Sequence, residues 1–238
     1  MELVLFIFII LVASILQTSS GFGFSILATP FLLLLFEPFE AIQINLLVSL
    51  IISMLLFRKI NSDIDYGMLR RLVIGSLPGL PLGIYIFLTV DISLLKVGVS
   101  IIILCLTLLL LFSFRIKQKQ SRDYGVGSIT GTLTTAIGMP GPPLLLYFLS
   151  TNTSKATVRA TTLAFYLFIY FVSFVIQMIF AGTSQVVWTS TVISLPFVLG
   201  GLWVGQYLYR KMDQRTFRIL TYILLFFTAI YLLVERFI

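Results

Sequence analysis

The residues best suited to chemistry lie in two glycine-containing stretches, each set inside long apolar sequence. The second stretch, residues 130–143, reads TGTLTTAIGMPGPP and holds three glycines and three prolines. Proline removes a backbone donor and clashes with the preceding turn, so this stretch cannot form one regular helix. The first stretch, residues 19–30, reads SSGFGFSILATP and resembles it. Both are predicted to break inside a membrane.

Breaks of this kind suit the binding of a small anion. Backbone freed at membrane depth is tolerated only where protein buries it or where it lines a watery cavity. A half-helix that starts there directs N–H groups and a positive dipole end into the cavity. We predict that two such half-helices form an anion clamp. The predicted substrate-binding residues are Ser19, Ser20, Gly21 and Phe22 at the first tip, and Thr134, Thr135, Gly138, Met139, Pro140 and Gly141 at the second.

Small and hydroxylated residues have another interpretation, because they also allow helices to pack closely. We favour the functional interpretation for the tips themselves. For the flanking hydroxyls we favour packing; these are Thr18, Ser25, Thr29, Thr130 and Thr132.

Two polar residues, Asn45 and Arg159, lie early in apolar segments at nearly equivalent places in the two halves of the chain. A polar group there is unfavourable unless it faces a partner or a cavity. Both are therefore predicted substrate-binding residues. Arg159 can give an oxyanion a bidentate contact. The alternative is an interfacial arginine that reaches the lipid headgroups from a helix end.

Composition identifies the elements that must position these residues. Of 238 residues, 59% are hydrophobic and 11% are charged, whereas soluble domains are roughly 45–50% apolar. An integral membrane protein is predicted. Histidine is absent, which excludes a Ser-His dyad and histidine-ligated metal. We expect that the protein is not an enzyme and that it has no cofactor and no metal site. The net charge of +7 comes from residues at segment ends, which indicates lipid headgroups and no nucleic acid.

Apolar runs of about 20 residues are long enough to span a bilayer. Residues 1–36 and 124–150 are predicted to be broken helical hairpins. Gly75, Gly79 and Gly83 recur at a spacing of four, which predicts close approach of another helix. The predicted full spans are residues 39–57, 69–90, 92–114, 158–180, 186–209 and 217–234.

The two halves also repeat within a single domain, residues 1–238. Matching features occur in the same order in each half, which makes chance a poor explanation. The repeats are predicted at about residues 1–114 and 124–238. The matches are Ser20-Gly21 with Thr130-Gly131, Pro30 with Pro140, Ala41 with Ala156, Ser76-Leu77-Pro78 with Ser194-Leu195-Pro196, and Gly83 with Gly201.

Charge then decides the topology. Eight crossings would divide the 16 Lys and Arg residues almost evenly between the two sides. Re-entrant hairpins instead leave only Lys96 and Arg236 on one side, as the positive-inside rule expects. Three true spans per half give an inverted repeat, the architecture of many secondary transporters. A seven-span version, in which residues 1–36 cross fully, gives the same charge count and stays open.

The motifs from Gln17 through Gly21-Phe22-Gly23-Phe24 to Pro30, and from Gly131 through Pro140 to Arg159-Ala160-Thr161, resemble the sulfite exporter TauE/SafE family over nearly the whole chain. This resemblance implies an inner-membrane permease for sulfite, sulfoacetate or related organosulfonates. It also implies a site at the two tips and Arg159. The second tip, Gly-Met-Pro-Gly-Pro-Pro, departs from the glycine-rich run common in that family, which leaves pocket shape and substrate open.

The function predicted is therefore a transporter that works by alternating access, with its basic loops in the cytoplasm. A passive small-anion channel is the alternative, and a non-transporting membrane scaffold is a third. The expected partners are a small sulfur anion and membrane lipids. Protons are a candidate coupling ion, and a homodimer is a candidate assembly.

Overall fold

The computed structural model describes residues 2–91, 119–150, 153–213 and the single positions 215, 216, 219, 223 and 226. In order, its helices are α1 Glu2–Ser20, α2 Phe24–Leu32, α3 Pro38–Ile60, α4 Tyr66–Ser76, α5 Gly79–Thr89, α6 Gln120–Ile137, α7 Gly141–Ser150, α8 Lys155–Ala181 and α9 Gln185–Lys211; a 3-10 turn, Asn61–Asp63, follows α3. The predicted span 92–114, and nearly all of 217–234, lies outside the described residues.

Four of these helices, α1, α3, α8 and α9, are long and apolar enough to cross a membrane. The pair α4 and α5 would make a fifth span. The prediction of an all-α polytopic membrane protein is confirmed. The spans predicted at 39–57, 158–180 and 186–209 correspond to α3, α8 and α9.

Residues 2–36, which cover the described part of the predicted segment 1–36, form a hairpin. The chain breaks between α1 and α2, where Gly21 and Gly23 have positive φ of 87° and 124°. The ring of Phe6, near the start of α1, lies 5.4 Å from the ring of Phe36, which follows α2. The chain has therefore returned to the level at which it entered, which favours the hairpin over the seven-span alternative.

Residues 124–150 form the second hairpin, with α6 and α7 as its arms. Asp123, in the first turn of α6, is fully buried. Its carboxylate accepts hydrogen bonds from Tyr147 Oη of α7 at 2.5 Å and from Arg71 Nε of α4 at 2.6 Å. These contacts tie the return arm to the start of α6 and fix the base of the hairpin to α4.

The glycines paired in the predicted repeat lie at different places relative to the two breaks. The second break falls at residues 138–140, where Gly138 has a φ of 71°, whereas Gly131 lies inside α6 and Pro30 inside α2. Gly138 therefore has at the second break the positive φ that Gly21 has at the first. The predicted pairings of Gly21 with Gly131 and of Pro30 with Pro140 do not join equivalent positions at the breaks.

Residues 69–90 were predicted as one span and instead form two helices bent by 46°. The bend follows from Pro78, which lacks an N–H and clashes with the preceding turn. Glycines still allow the predicted close approach: a Cβ on Gly75 would lie 2.3 Å from the carbonyl oxygen of Tyr124, and one on Gly79 2.2 Å from that of Ser128. The neighbour is α6.

A similar glycine contact holds the first hairpin. A Cβ on Gly201 of α9 would lie 2.5 Å from Ser14 Cβ of α1, and one on Gly205 would lie 2.6 Å from Thr18 Cβ. The first arm of each hairpin therefore packs at backbone distance against a helix from the other half of the chain.

We expect Gly79→Ala to lower the free energy of unfolding by about 1–3 kcal/mol, because the new methyl group meets the backbone of α6. The thermal unfolding midpoint of the purified protein in detergent measures this loss. Gly125→Ala is the matched control, since a Cβ there meets nothing within 4 Å. Equal midpoints for the two variants would contradict the close packing of α5 against α6.

Candidate substrate site

The first turns of the two return arms, α2 and α7, lie against each other. A Cβ on Gly141, the first residue of α7, would lie 3.0 Å from Ile26 Cδ1 and 3.4 Å from Tyr166 Oη. Ile26 belongs to the first turn of α2, and Tyr166 belongs to α8. The structure thus brings the N-terminal ends of both half-helices together beside α8.

The two N-terminal ends differ in the backbone donors that they offer. The N-cap of α2 is Gly23, which has no side chain to accept from the first-turn N–H groups. In α7, Pro142 and Pro143 have no N–H, so only Gly141 keeps one among the first three residues. Amide donation therefore falls mainly to α2, while α7 contributes the positive end of its dipole.

Two tyrosines of α8 contribute buried hydroxyls at this junction. The rings of Tyr166 and Tyr170 lie 4.9 Å apart, and both side chains are almost completely buried. Tyr166 Oη has no hydrogen-bond partner among the described residues. The Tyr170 hydroxyl lies beside Ser25 of α2 and Ser49 of α3. Burying an unpaired hydroxyl is unfavourable. The Tyr166 hydroxyl lies next to a helix end that favours an anion, where a ligand could accept its hydrogen bond.

Asn45 of α3 holds the second tip. Its Nδ2 donates to the carbonyl oxygen of Gly138 at 2.6 Å, and its side chain is fully buried. Gly138 ends α6 in the left-handed conformation. A Cβ on Gly138 would lie 2.7 Å from Asn45 Nδ2. The end of α6 leaves the Gly138 carbonyl without an intrahelical donor, and Asn45 supplies one.

Arg159 of α8 holds the first tip. Its Nε donates to the carbonyl oxygen of Thr18, near the end of α1, at 2.7 Å. A Cβ on Gly21 would lie 2.8 Å from Arg159 Cα, and the guanidinium lies 4.2 Å from the ring centroid of Tyr209. The side chain is 6% exposed, the only buried cation in the described part of the chain. A cation here complements the negative end of the α1 dipole.

A family model described as Sulfite exporter TauE/SafE matches residues 6–232. The chain belongs to the TauE/SafE family. Its members are transporters rather than enzymes, and membership indicates a membrane transporter of sulfur anions. No curated protein and no solved structure gives a significant match to the chain.

In this TauE/SafE protein, the hydroxyls predicted at the tips donate or share hydrogen bonds within the fold. Phe22 and Met139 are buried apolar residues at the tips, and Pro140 lies between α6 and α7. The hydroxyl contacts are Ser19 Oγ to the Leu16 carbonyl at 3.2 Å, Ser20 Oγ to the same carbonyl at 2.6 Å, Thr134 Oγ1 to the Thr130 carbonyl at 2.6 Å, and Thr135 Oγ1 with Ser173 Oγ at 2.8 Å.

Tyr166 and Tyr170 of this TauE/SafE chain were not predicted from the sequence as site residues. Their spacing of four places them on one helix face. The sequence could have indicated them, because a tyrosine in the middle of an apolar span needs a partner for its hydroxyl. Ser25 was named only as a packing residue, although it lies in the first turn of α2.

We expect Asn45→Leu to lower the free energy of unfolding by about 1–3 kcal/mol, because it leaves the Gly138 carbonyl buried without its donor. Thr162→Val is the control, since Thr162 Oγ1 is buried without a partner among the described residues. Thermal unfolding in detergent compares the two variants. A midpoint for Asn45→Leu no lower than that of Thr162→Val would show that the tip does not depend on this contact.

Proposed function

We propose that this chain is a secondary transporter of small sulfur oxyanions such as sulfite, sulfoacetate or organosulfonates. Its substrate pocket lies where the N-terminal ends of α2 and α7 meet. The observation that carries the proposal is the buried, unpartnered Tyr166 hydroxyl beside Gly141 at that junction. The family match supports the class of substrate.

The chemistry of the junction fits an anion with several oxygen atoms. Two half-helix dipoles supply positive potential, and the hydroxyls of Tyr166 and Ser25 supply donors. Among the described residues the only buried carboxylate is Asp123, at the base of the second hairpin, where Arg71 pairs it. No buried carboxylate therefore opposes an anion at the junction within the described structure.

The way in which the hairpins are held supports alternating access as the mechanism. The site is closed in this structure, because Phe22, Met139, Tyr166 and Tyr170 are all at most 2% exposed. The close glycine contacts join the first hairpin to α9 and the second to α4 and α5. We propose that these two units move as rigid bodies against each other and open the junction to one side at a time.

The inverted repeat, with halves at about residues 1–114 and 124–238 of one transporter domain, belongs to this proposal. It is supported by the crossed contacts, in which Asn45 of the first half holds the second tip and Arg159 of the second half holds the first. We also propose an inner-membrane location with the basic loops in the cytoplasm. Protons as the coupling ion and a homodimer as the assembly complete the proposal.

We expect Tyr166→Phe to reduce kcat/KM for sulfite transport roughly tenfold to a hundredfold, the loss typical of a hydrogen bond to a charged group. Uptake of labelled sulfite by proteoliposomes, with and without unlabelled sulfite inside, measures it. Preloading accelerates uptake by a carrier, whereas a channel shows no counterflow.

Tyr85→Phe is the matched control, because that tyrosine is 65% exposed on α5. Thermal unfolding should change little in Tyr166→Phe, since its hydroxyl has no partner among the described residues. Equal transport by both variants would remove Tyr166 from the site. Absence of flux for sulfite, sulfoacetate and ethanesulfonate under every gradient would overturn the substrate class.

A further inference from the structure

A second anion-favouring feature is a cleft that shares no lining residue with the tip junction. The cleft, of about 480 Å³, runs between the C-terminal halves of α3 and α9. Its walls include Leu55, Lys59, Trp203, Gln206 and Arg210. The cleft therefore combines an apolar stretch with two cations at one end.

Lys59 and Arg210 each lie in the last turn of a helix, where a cation complements the helix dipole. The dipole alone does not explain the direction of Lys59. Its Nζ donates across the cleft to Gln206 Oε1 of α9 at 3.3 Å. Gln206 is one turn before Arg210 on the same face of α9. Lys59 therefore reaches the face of α9 that also carries Arg210.

Neither cation forms an ion pair with a carboxylate within the part of the chain that the structure describes. Two cations that line one cleft without a carboxylate repel each other and favour a bound anion. The rest of the cleft is apolar and faces outward: Trp203 is 78% exposed and Leu55 is 47% exposed. These side chains belong to helices long and apolar enough to span the membrane.

We propose that this cleft is a binding site for one anionic phospholipid. Lys59 and Arg210 contact the phosphodiester, and the acyl chains lie along Leu55 and Trp203. Charge complementarity selects a lipid over a second protein copy, because a symmetric copy would bring further cations to the same place. A free phosphate would satisfy the cations and leave the apolar walls uncovered. Basic pockets between spans are an established means of recognising anionic headgroups.

The two tryptophans of the chain allow a direct test. Trp188→Phe leaves Trp203 as the single emitter, and Trp203→Phe leaves Trp188, near the start of α9. Each variant is reconstituted into phosphatidylcholine vesicles that contain brominated phosphatidylglycerol, or brominated phosphatidylcholine at the same fraction. Bromine quenches tryptophan on contact, so the ratio of the two quenching curves gives the relative affinity of the site for the anionic lipid.

We expect Trp203 to be quenched preferentially by brominated phosphatidylglycerol. Lys59→Gln and Arg210→Gln should each reduce the relative affinity about fivefold, and the double substitution roughly 30-fold. Arg58→Gln is the control, because it removes a cation from the same helix end that does not line the cleft. Trp188 should show no lipid preference.

A preference at Trp203 that survives the double substitution would overturn the proposal, as would the absence of any preference. Displacement of the brominated phosphatidylglycerol by inorganic phosphate would identify a free anion as the ligand instead. Failure of both brominated lipids to quench Trp203 would show that protein covers the face. None of these results depends on sulfite transport, so the two proposals fail separately.

Discussion

Each broken hairpin leaves helix ends inside a membrane protein, and their backbone groups need partners there. The structure meets this constraint with side chains from the opposite half of the chain. Asn45 donates to the carbonyl of Gly138, and Arg159 donates to the carbonyl of Thr18. An unpaired buried carbonyl of this kind costs about 1–3 kcal/mol. Each tip is therefore held by a side chain from the other half of the chain.

The same constraint explains why a site forms where α2 and α7 meet. Helix C-termini can be satisfied by side-chain donors, and here Asn45 and Arg159 serve α6 and α1. The N-terminal ends of α2 and α7 have no side-chain cap in the described contacts; Gly23 cannot provide one, and α7 follows Pro140. Their positive dipole ends therefore face the junction, next to the tyrosines of α8.

Much of this arrangement could be predicted from the sequence, because glycine and proline inside apolar runs have few structural solutions. The two hairpins came from that signal. The membrane class came from composition, and Asn45 and Arg159 were chosen as polar residues early in apolar segments. The exact breaks could not be predicted. Gly131 and Gly138 are equally compatible with a turn in isolation, and only the packing of Gly131 against Ser76 shows that it is a helix-contact residue.

Other features depend on tertiary contacts that no local pattern records. Ser-Leu-Pro occurs in both halves, yet Pro78 bends its helix whereas Pro196 lies within the continuous α9. Arg159 was expected either at a substrate or at the headgroups. The sequence did not predict that its guanidinium packs on Tyr209 and that its Nε donates to a carbonyl of α1.

The central claim is that a sulfur oxyanion sits where the N-terminal ends of α2 and α7 meet. The most direct measurement is a crystal structure with 2-bromoethanesulfonate, in which anomalous scattering locates the bromine without ambiguity. We predict a peak beside Tyr166, with the sulfonate oxygens toward Ser25 and Gly141. A peak only elsewhere, such as the cleft beside Lys59 and Arg210, would contradict the claim.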